Sequence, residues 1–272
     1  MDFDTATRQR MAAIEANWDE RTPIHAASQF YARDPEAWFA PYEWEDLGPL
    51  TGRDVLHLQC HLGTETLAFA RRGAGTVTGL DVSDSSCTSA RRLAAAAGLA
   101  VEYVRANVYD AVEALGNRRF DVVYTGKGAL LFLPDLTRWA AQVAGLLRPG
   151  GVAYVVEFHP LFSSLGVMPG DSLLLRNDYL AGRGAREVDA TCTYTDGPPL
   201  TGATASYEWA HGLGEVVTAL IGAGLTISSL RESDEIPWPN WPGMEPTANG
   251  FFRLPASAPK IPLVYALRAT AG

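Results

Sequence analysis

The chain reads as an open, doubly wound α/β domain: a mostly parallel, seven-stranded sheet with helices on both faces, a helical N-terminal cover and a lid inserted late in the sequence. Three observations predict it. Strand-like and helix-like patterns alternate from residue 54 to residue 157, which implies parallel strands joined by right-handed helical crossovers. At the head of that run, Asp54-Val55-Leu56-His57-Leu58-Gln59-Cys60-His61-Leu62-Gly63 reads as a buried strand and a tight turn opening a helix, and Val77-Thr78-Gly79-Leu80-Asp81 as a second strand ending on a carboxylate. After Pro160 the periodicity dissolves for about fifty residues, too long for a plain loop inside a compact domain.

Residues 1–45 form the cover, rich in aromatics: Phe3, Trp18, Phe30, Tyr31, Trp38, Phe39, Tyr42 and Trp44. A helix is predicted over Thr5 to Asn17, ahead of Pro23, and a short one from Asp34-Pro35. The core, 54–160, carries predicted strands at 54–60, 75–80, 100–104, 119–124 and 151–157, with helices at 64–72, 84–97, 110–116 and 135–147. Ser83-Asp84 and Asp135 are N-cap signals, and Pro149-Gly150-Gly151 stops the last of these helices. The lid, 161–211, offers strand pieces at 171–176 and 191–194 and a turn at Gly197. The C-terminal part, 212–272, has a helix at 212–222 stopped by Gly222-Ala223-Gly224, then strands at 225–230 and 261–267.

Composition narrows the function. With 272 residues and 47% hydrophobic content the chain can bury one sizeable core as a single domain. Its 22 basic against 31 acidic residues leave a formal charge of −9, and Lys127 and Lys260 are its only lysines, which disfavours a nucleic-acid partner. Cys60, Cys87 and Cys192 make an odd, sparse set, so a reducing compartment is expected rather than a disulfide framework. The start, Met1-Asp2-Phe3-Asp4, lacks a signal-peptide pattern, and there is no apolar run long enough to span a membrane. The expectation is a cytoplasmic protein, monomer or homodimer, acting on a small molecule.

A backbone turn followed about twenty residues on by a carboxylate suits a nucleoside-containing cofactor. Val55 to Gly63 resembles the first motif of class I S-adenosylmethionine-dependent methyltransferases: Cys60 and Gly63 match, while His57, Gln59 and His61 stand where the motif has an acid and two glycines. The form L-H-L-Q-C-H followed by L-G is similar to a variant in a bacterial branch acting mostly on small molecules. The similarity continues through Asn17 to Arg21, Phe120 to Tyr124, Leu133 to Leu136, Leu147 to Gly151, Glu157 to Pro160 and Tyr207 to His211. It implies a Rossmann-like fold whose last two strands form an antiparallel hairpin at the sheet edge.

By that resemblance Asp81 binds the cofactor's ribose and Val82 packs on its adenine. Asn107 meets the adenine amino group beside Val108, and the turn Gln59-Cys60-His61 with Gly63 faces the amino-acid end. Trp18 and Arg21 close over it, and Gly126 ends the fourth strand in the same cleft. Asp81 as a turn cap and Asn107 as a turn asparagine are the structural alternatives. His57 reads as a core histidine, and His57, Cys60 and His61 lack a fourth ligand, so no metal is expected. His159, Tyr207, Glu208 and His211 are candidates for proton handling, against a role in tying lid to core, and Glu157 is a further acid placed within a strand. Tyr31, Tyr194, Trp209, Trp238 and Trp241 offer a wall for a planar substrate, although Ile236 to Pro242 also reads as a polyproline ligand. The function expected is methyl transfer from S-adenosylmethionine to an aromatic or heteroaromatic metabolite, possibly indole-type, in specialised metabolism. A nucleotide-dependent oxidoreductase is the rival on the same sheet, opposed by the missing G-x-G-x-x-G and Tyr-x-x-x-Lys. A non-catalytic binding protein is another.

Overall fold

A computed structural model describes residues 3–165 and 174–272. The cover begins with α1 (Thr5–Ala27), capped by Asp4, whose carboxylate accepts the Thr7 N–H at 2.7 Å. Two 3-10 turns, Phe30–Ala32 and Pro35–Trp38, lead into α2 (Pro41–Leu47). The core follows as β1 (Asp54–Leu58), α3 (Thr64–Arg71), β2 (Thr76–Asp81), α4 (Asp84–Ala96), β3 (Glu102–Arg105), α5 (Ala111–Ala114), β4 (Phe120–Thr125), α6 (Leu136–Gly145) and β5 (Leu147–Phe158). The lid holds α7 (Pro160–Leu165), β6 (Arg186–Asp189) and β7 (Ala205–Glu208). The chain ends with α8 (Leu213–Gly222), β8 (Thr226–Ser233), the small hairpin β9 (Glu245–Pro246) and β10 (Phe252–Arg253), and β11 (Val264–Thr270).

Seven strands lie in the order β3-β2-β1-β4-β5-β11-β8, with β11 antiparallel to both neighbours and the first five mutually parallel. The predicted sheet and its antiparallel edge are therefore present. β1 runs Val-Leu-His-Leu without an exposed position because helices cover both faces of a parallel sheet. On one face Trp139 of α6 and Leu220 of α8 are fully buried against Leu56 and Leu58. On the other, Phe69 of α3 packs with Tyr124 and Tyr154. The order reverses between β1 and β4, where chains depart to opposite sides and leave a crevice at the strands' carboxyl ends.

Two sequence expectations are corrected. α1 does not stop at Asn17 but runs through Pro23 to Ala27. The bond that proline forfeits is offset by tertiary anchors along the same helix. The Asn17 amide donates to the Ala203 carbonyl at 2.6 Å, Ser83 Oγ donates to Asp19 at 2.6 Å, and Thr22 Oγ1 lies 2.8 Å from Ser86 Oγ. The lid's strands are β6 and β7, not 191–194, and 174–176 is not strand; residues 171–173 of the other predicted piece lie outside the described residues. Arg186 opposite Glu208 favours the β6–β7 register, whereas Thr193 and Tyr194 are held by side-chain bonds to the cover.

Candidate active site

The turn after β1 departs from glycine in sequence but not in conformation. Gln59 (φ 55°) and His61 (φ 49°) sit in the left-handed region beside Gly63 (φ 71°), conformations that an L side chain adopts at a cost. Each of the two side chains is anchored: Gln59 Nε2 donates to the Ala129 carbonyl at 3.0 Å, and His61 Nε2 lies 3.2 Å from His25 Nδ1. Gly63 has no such latitude, since a Cβ there would stand 2.4 Å from the Tyr103 hydroxyl.

Across the turn, at the end of β2, Asp81 accepts the His61 N–H at 2.8 Å on Oδ2 and the Ser83 N–H at 2.9 Å on Oδ1. A carboxylate has about four acceptor sites, so roughly one lone pair per oxygen remains for a pair of vicinal hydroxyls. Burial pushes the Asp81 pKa up to about 6, against the pull of those two N–H donors.

The carboxyl ends of β1, β2, β4 and β5 open into a cavity of about 490 Å³ roofed by α1 and the lid. Of the predicted cofactor residues it is lined by Trp18, Arg21, Gln59, Cys60, His61, Asp81, Val82, Asn107, Val108 and Gly126. Asn107 also caps the next turn, its side-chain oxygen accepting the Tyr109 N–H at 3.0 Å. Gly63 shapes the turn from behind the wall. A Cβ at Gly126 would touch Tyr124, His57 and Glu65 at 3.3–3.5 Å, so glycine keeps that wall thin. Buried Arg21 Nε and Gln59 Oε1 have no hydrogen-bond partner among the described residues, and Arg21 stands over the Trp18 ring. A guanidinium and an amide oxygen without partners fit the carboxylate and ammonium of an amino acid.

The proton-handling candidates separate. Glu208 and His211 line the cavity; His159 and Tyr207 do not. His159 Nδ1 accepts the Leu161 N–H at 3.1 Å and its Nε2 pairs with Glu232 at 2.9 Å, behind the wall. Tyr207 points the other way from Glu208, as strand alternation requires, and lies under Arg10. His211 Nε2 is 2.7 Å from the Leu133 carbonyl and Nδ1 is 3.2 Å from Glu215, so both nitrogens face acceptors. Burial pushes the Glu208 carboxyl up while Arg186 and Arg21 draw it down. Glu157 receives the N–H groups of Gly128, Ala129, Leu130 and Phe158 and so shapes the loop after β4.

Of the predicted aromatic wall, Tyr31, Tyr194, Trp209 and Trp238 line the cavity. Trp241 is buried behind it, 4.9 Å from Phe162. The Pro-rich segment is folded onto the core: Ile236 is fully buried and exchanges both backbone bonds with Phe252. Phe30 and Trp38, two of the N-terminal aromatics of the cover, also line the cavity, as do Glu65 and Lys127, which sequence did not mark as site residues. Glu65 sits in the first turn of α3, where an acid is ordinary, so nothing in the sequence marks it. His57 is buried, bonded to Thr66 at 2.9 Å, and held neutral to about pH 3 by burial. No group of three or more metal-ligating side chains occurs among the described residues, and no helix is long and apolar enough to cross a membrane.

Residues 55–151 match the methyltransferase domain family. The ubiquinone biosynthesis O-methyltransferases of Bordetella avium and Sinorhizobium medicae are 32% and 30% identical to the chain over 158 and 164 residues. Those alignments cover 56% and 58% of this chain and 60% and 64% of theirs, so the chain spans less than two thirds of the curated relatives' length. In shape the chain is similar to the CcbJ methyltransferase from Streptomyces caelestis, with a TM-score of 0.61, 18% identity, and coverage of 96% of this chain and 99% of that one. A putative S-adenosylmethionine-dependent methyltransferase from Listeria monocytogenes gives 0.59, 18%, 92% and 99%. These two likenesses speak for the fold. The domain match over residues 55–151, the relatives and the strand-end carboxylate beneath the cavity agree with one another: the chain carries a methyltransferase domain match and has the fold of the S-adenosylmethionine-dependent methyltransferases it is similar to.

Proposed function

We propose that the chain transfers a methyl group from S-adenosylmethionine to a small aromatic or heteroaromatic acceptor. The observation that carries this reading is the continuity of the cavity: it runs from Asp81 past the motif turn to a box of aromatic rings, all beneath the cover and lid. Bound S-adenosylmethionine supplies an electrophilic methyl on a positively charged sulfur. The chemistry would be displacement at that methyl by an acceptor lone pair, or by a ring π pair for a carbon acceptor, the carbon–sulfur pair returning to sulfur as a neutral thioether and an acceptor bearing hydrogen giving up one proton.

The chain's work in that reaction is to bind, align and keep water out. Asp81 would hold the ribose, Val82 and Val108 the adenine faces, and Asn107 its edge. Arg21 and Gln59 would take the amino-acid end, with Cys60, His61 and Trp18 packed around it. Glu208, one of the carboxylates at the cavity, would help orient the acceptor, and Tyr31, Trp209 and Trp238 would face its ring. His211 would brace the lid against Leu133. The division into cover, core, lid and C-terminal part has the same logic, since the lid is fastened through the cover: Glu20 of α1 accepts the N–H groups of Thr201, Gly202 and Ala203.

The relatives' name, O-methyltransferase, favours an oxygen acceptor, while the chain's aromatic wall equally suits an indole-type carbon or nitrogen in specialised metabolism. A mass-spectrometric screen of phenols, catechols and indoles for gain of one methyl group tests the proposal. Cofactor binding with no methylated product from any aromatic class would favour a non-catalytic role.

A further inference from the structure

One wall of the cavity carries an acidic group that no cation of the described residues pairs with, its pKa pushed up by burial. Lys127 and two carboxylates, Glu43 and Glu65, meet there. Lys127 Nζ is spent on Glu43, at 3.1 Å, and on the Trp38 carbonyl, at 3.2 Å, with both side chains buried. Glu43 is held further by the Ala40 N–H at 3.0 Å. Glu65 has no ion-pair partner among the described residues; the Thr64 hydroxyl, its own N–H and the more distant Lys127 charge are what act on it. Its Oε1 stands 3.5 Å from where a Cβ of Gly126 would be, at the cavity wall.

Aromatic rings line the same cavity as that carboxyl. Phe30 lies 5.1 Å from Tyr31, 5.2 Å from Trp38 and 5.3 Å from Trp238, and the Tyr31 hydroxyl is 2.6 Å from that of Tyr194. The Glu65 charge is near enough to raise the pKa of both phenols. A half-buried carboxylate without a cationic partner gains from a cation beside it, and π-faces attract cations. Each feature favours a positive charge within the cavity that the rings and Glu65 share.

We infer that the acceptor carries a protonated amine beside its planar ring, and that Glu65 receives this ammonium as an anchor within the box of Phe30, Tyr31, Trp38, Tyr194 and Trp238. The inference rests on the aromatic box being the acceptor site. Glu65 is a binding residue in this scheme: the ammonium it holds has no lone pair and is not the atom methylated.

The test is calorimetry on the protein loaded with S-adenosylhomocysteine, using tryptamine and its uncharged counterpart 3-propylindole, for wild type, Glu65→Gln and Trp238→Ala. Wild type should prefer tryptamine, and Glu65→Gln should weaken tryptamine at least tenfold while leaving 3-propylindole affinity unchanged, as well as S-adenosylmethionine affinity titrated separately on the unloaded protein. Equal binding of the two probes by wild type, binding of neither at millimolar concentration, or unchanged tryptamine affinity in Glu65→Gln would overturn the inference. So would a loss confined to S-adenosylmethionine, which would assign Glu65 to the cofactor's own ammonium. Trp238→Ala reports separately on the parent reading: it should weaken both probes, and if it weakens neither, the box is not the acceptor site.

Discussion

The left-handed turn after β1 makes an unusual prediction about glycine. Gln59 has φ 55°, and an L residue there costs roughly 1–2 kcal/mol that glycine avoids. Glycine in turn loses about 0.4–1 kcal/mol relative to alanine through the freedom of the unfolded chain. The comparison of Gln59→Gly with Gln59→Ala isolates these two quantities, because both variants lose the same bond from Gln59 Nε2 to the Ala129 carbonyl. Gln59→Gly should therefore be the more stable by about 1 kcal/mol, or about 2 °C in melting temperature for a chain of this size. His61, φ 49°, should behave alike. Exposed Ala95 within α4 is the control: Ala95→Gly should lose about 1 kcal/mol, the opposite order. Urea unfolding of the set measures all of this. An alanine variant at 59 or 61 as stable as its glycine counterpart would show that the turn does not hold the left-handed conformation, and with it the reading of Gln59 and His61 as glycine positions would fall.

That turn also shows where sequence reasoning reaches and where it ends. Strand and helix periodicity located every strand of the main sheet, because core strands buried on two faces and crossover helices each leave a one-dimensional pattern. The place of Asp81 at the cavity was legible for the same reason: it stands at the end of a strand. Side-chain direction across space leaves no such trace. His159 ends β5 as expected, yet its ring turns to Glu232 on β8, a neighbour brought near only by β11 inserting between them. Pro23 signals a helix end, and the anchors that override it reach to Ser83, Ser86 and Ala203. Glu65 looks like an ordinary first-turn acid until Lys127 is seen to be committed elsewhere.

Three further outcomes are expected. Asp81→Asn should weaken S-adenosylmethionine binding by on the order of 1.5–3 kcal/mol, since a charged acceptor of two hydroxyls is lost; unchanged affinity by calorimetry would remove Asp81 from the site. The pH dependence has two signs. With its pKa raised from 3.8 to about 6, Asp81 contributes stability to the free protein that is full below its unfolded value and lost as pH rises through about 6, whereas cofactor affinity should fall as pH drops through about 6. Glu20→Ala should free the lid and expose residues 190–204 to limited proteolysis. Because three backbone N–H groups hold the Glu20 pKa down to about 2, the wild-type latch should be intact above about pH 4.5 and be lost only as pH falls through about 2; a lid equally protected in wild type and variant would show that the latch is incidental. Finally, His159→Gln and His211→Gln should bind cofactor normally and keep most of their single-turnover rate. The His159 Nδ1 lone pair is taken by the Leu161 N–H and its Nε2 faces Glu232 behind the cavity wall, while the His211 ring is turned with Nε2 to the Leu133 carbonyl and Nδ1 to Glu215, so neither ring aims a nitrogen at an acceptor in the cavity. A general base lost would cost about 100-fold or more and leave a rate falling through the histidine range in wild type. A hundredfold drop in either variant, together with such a profile, would mean that the ring leaves its present partners when an acceptor binds, and would return that histidine to the reaction.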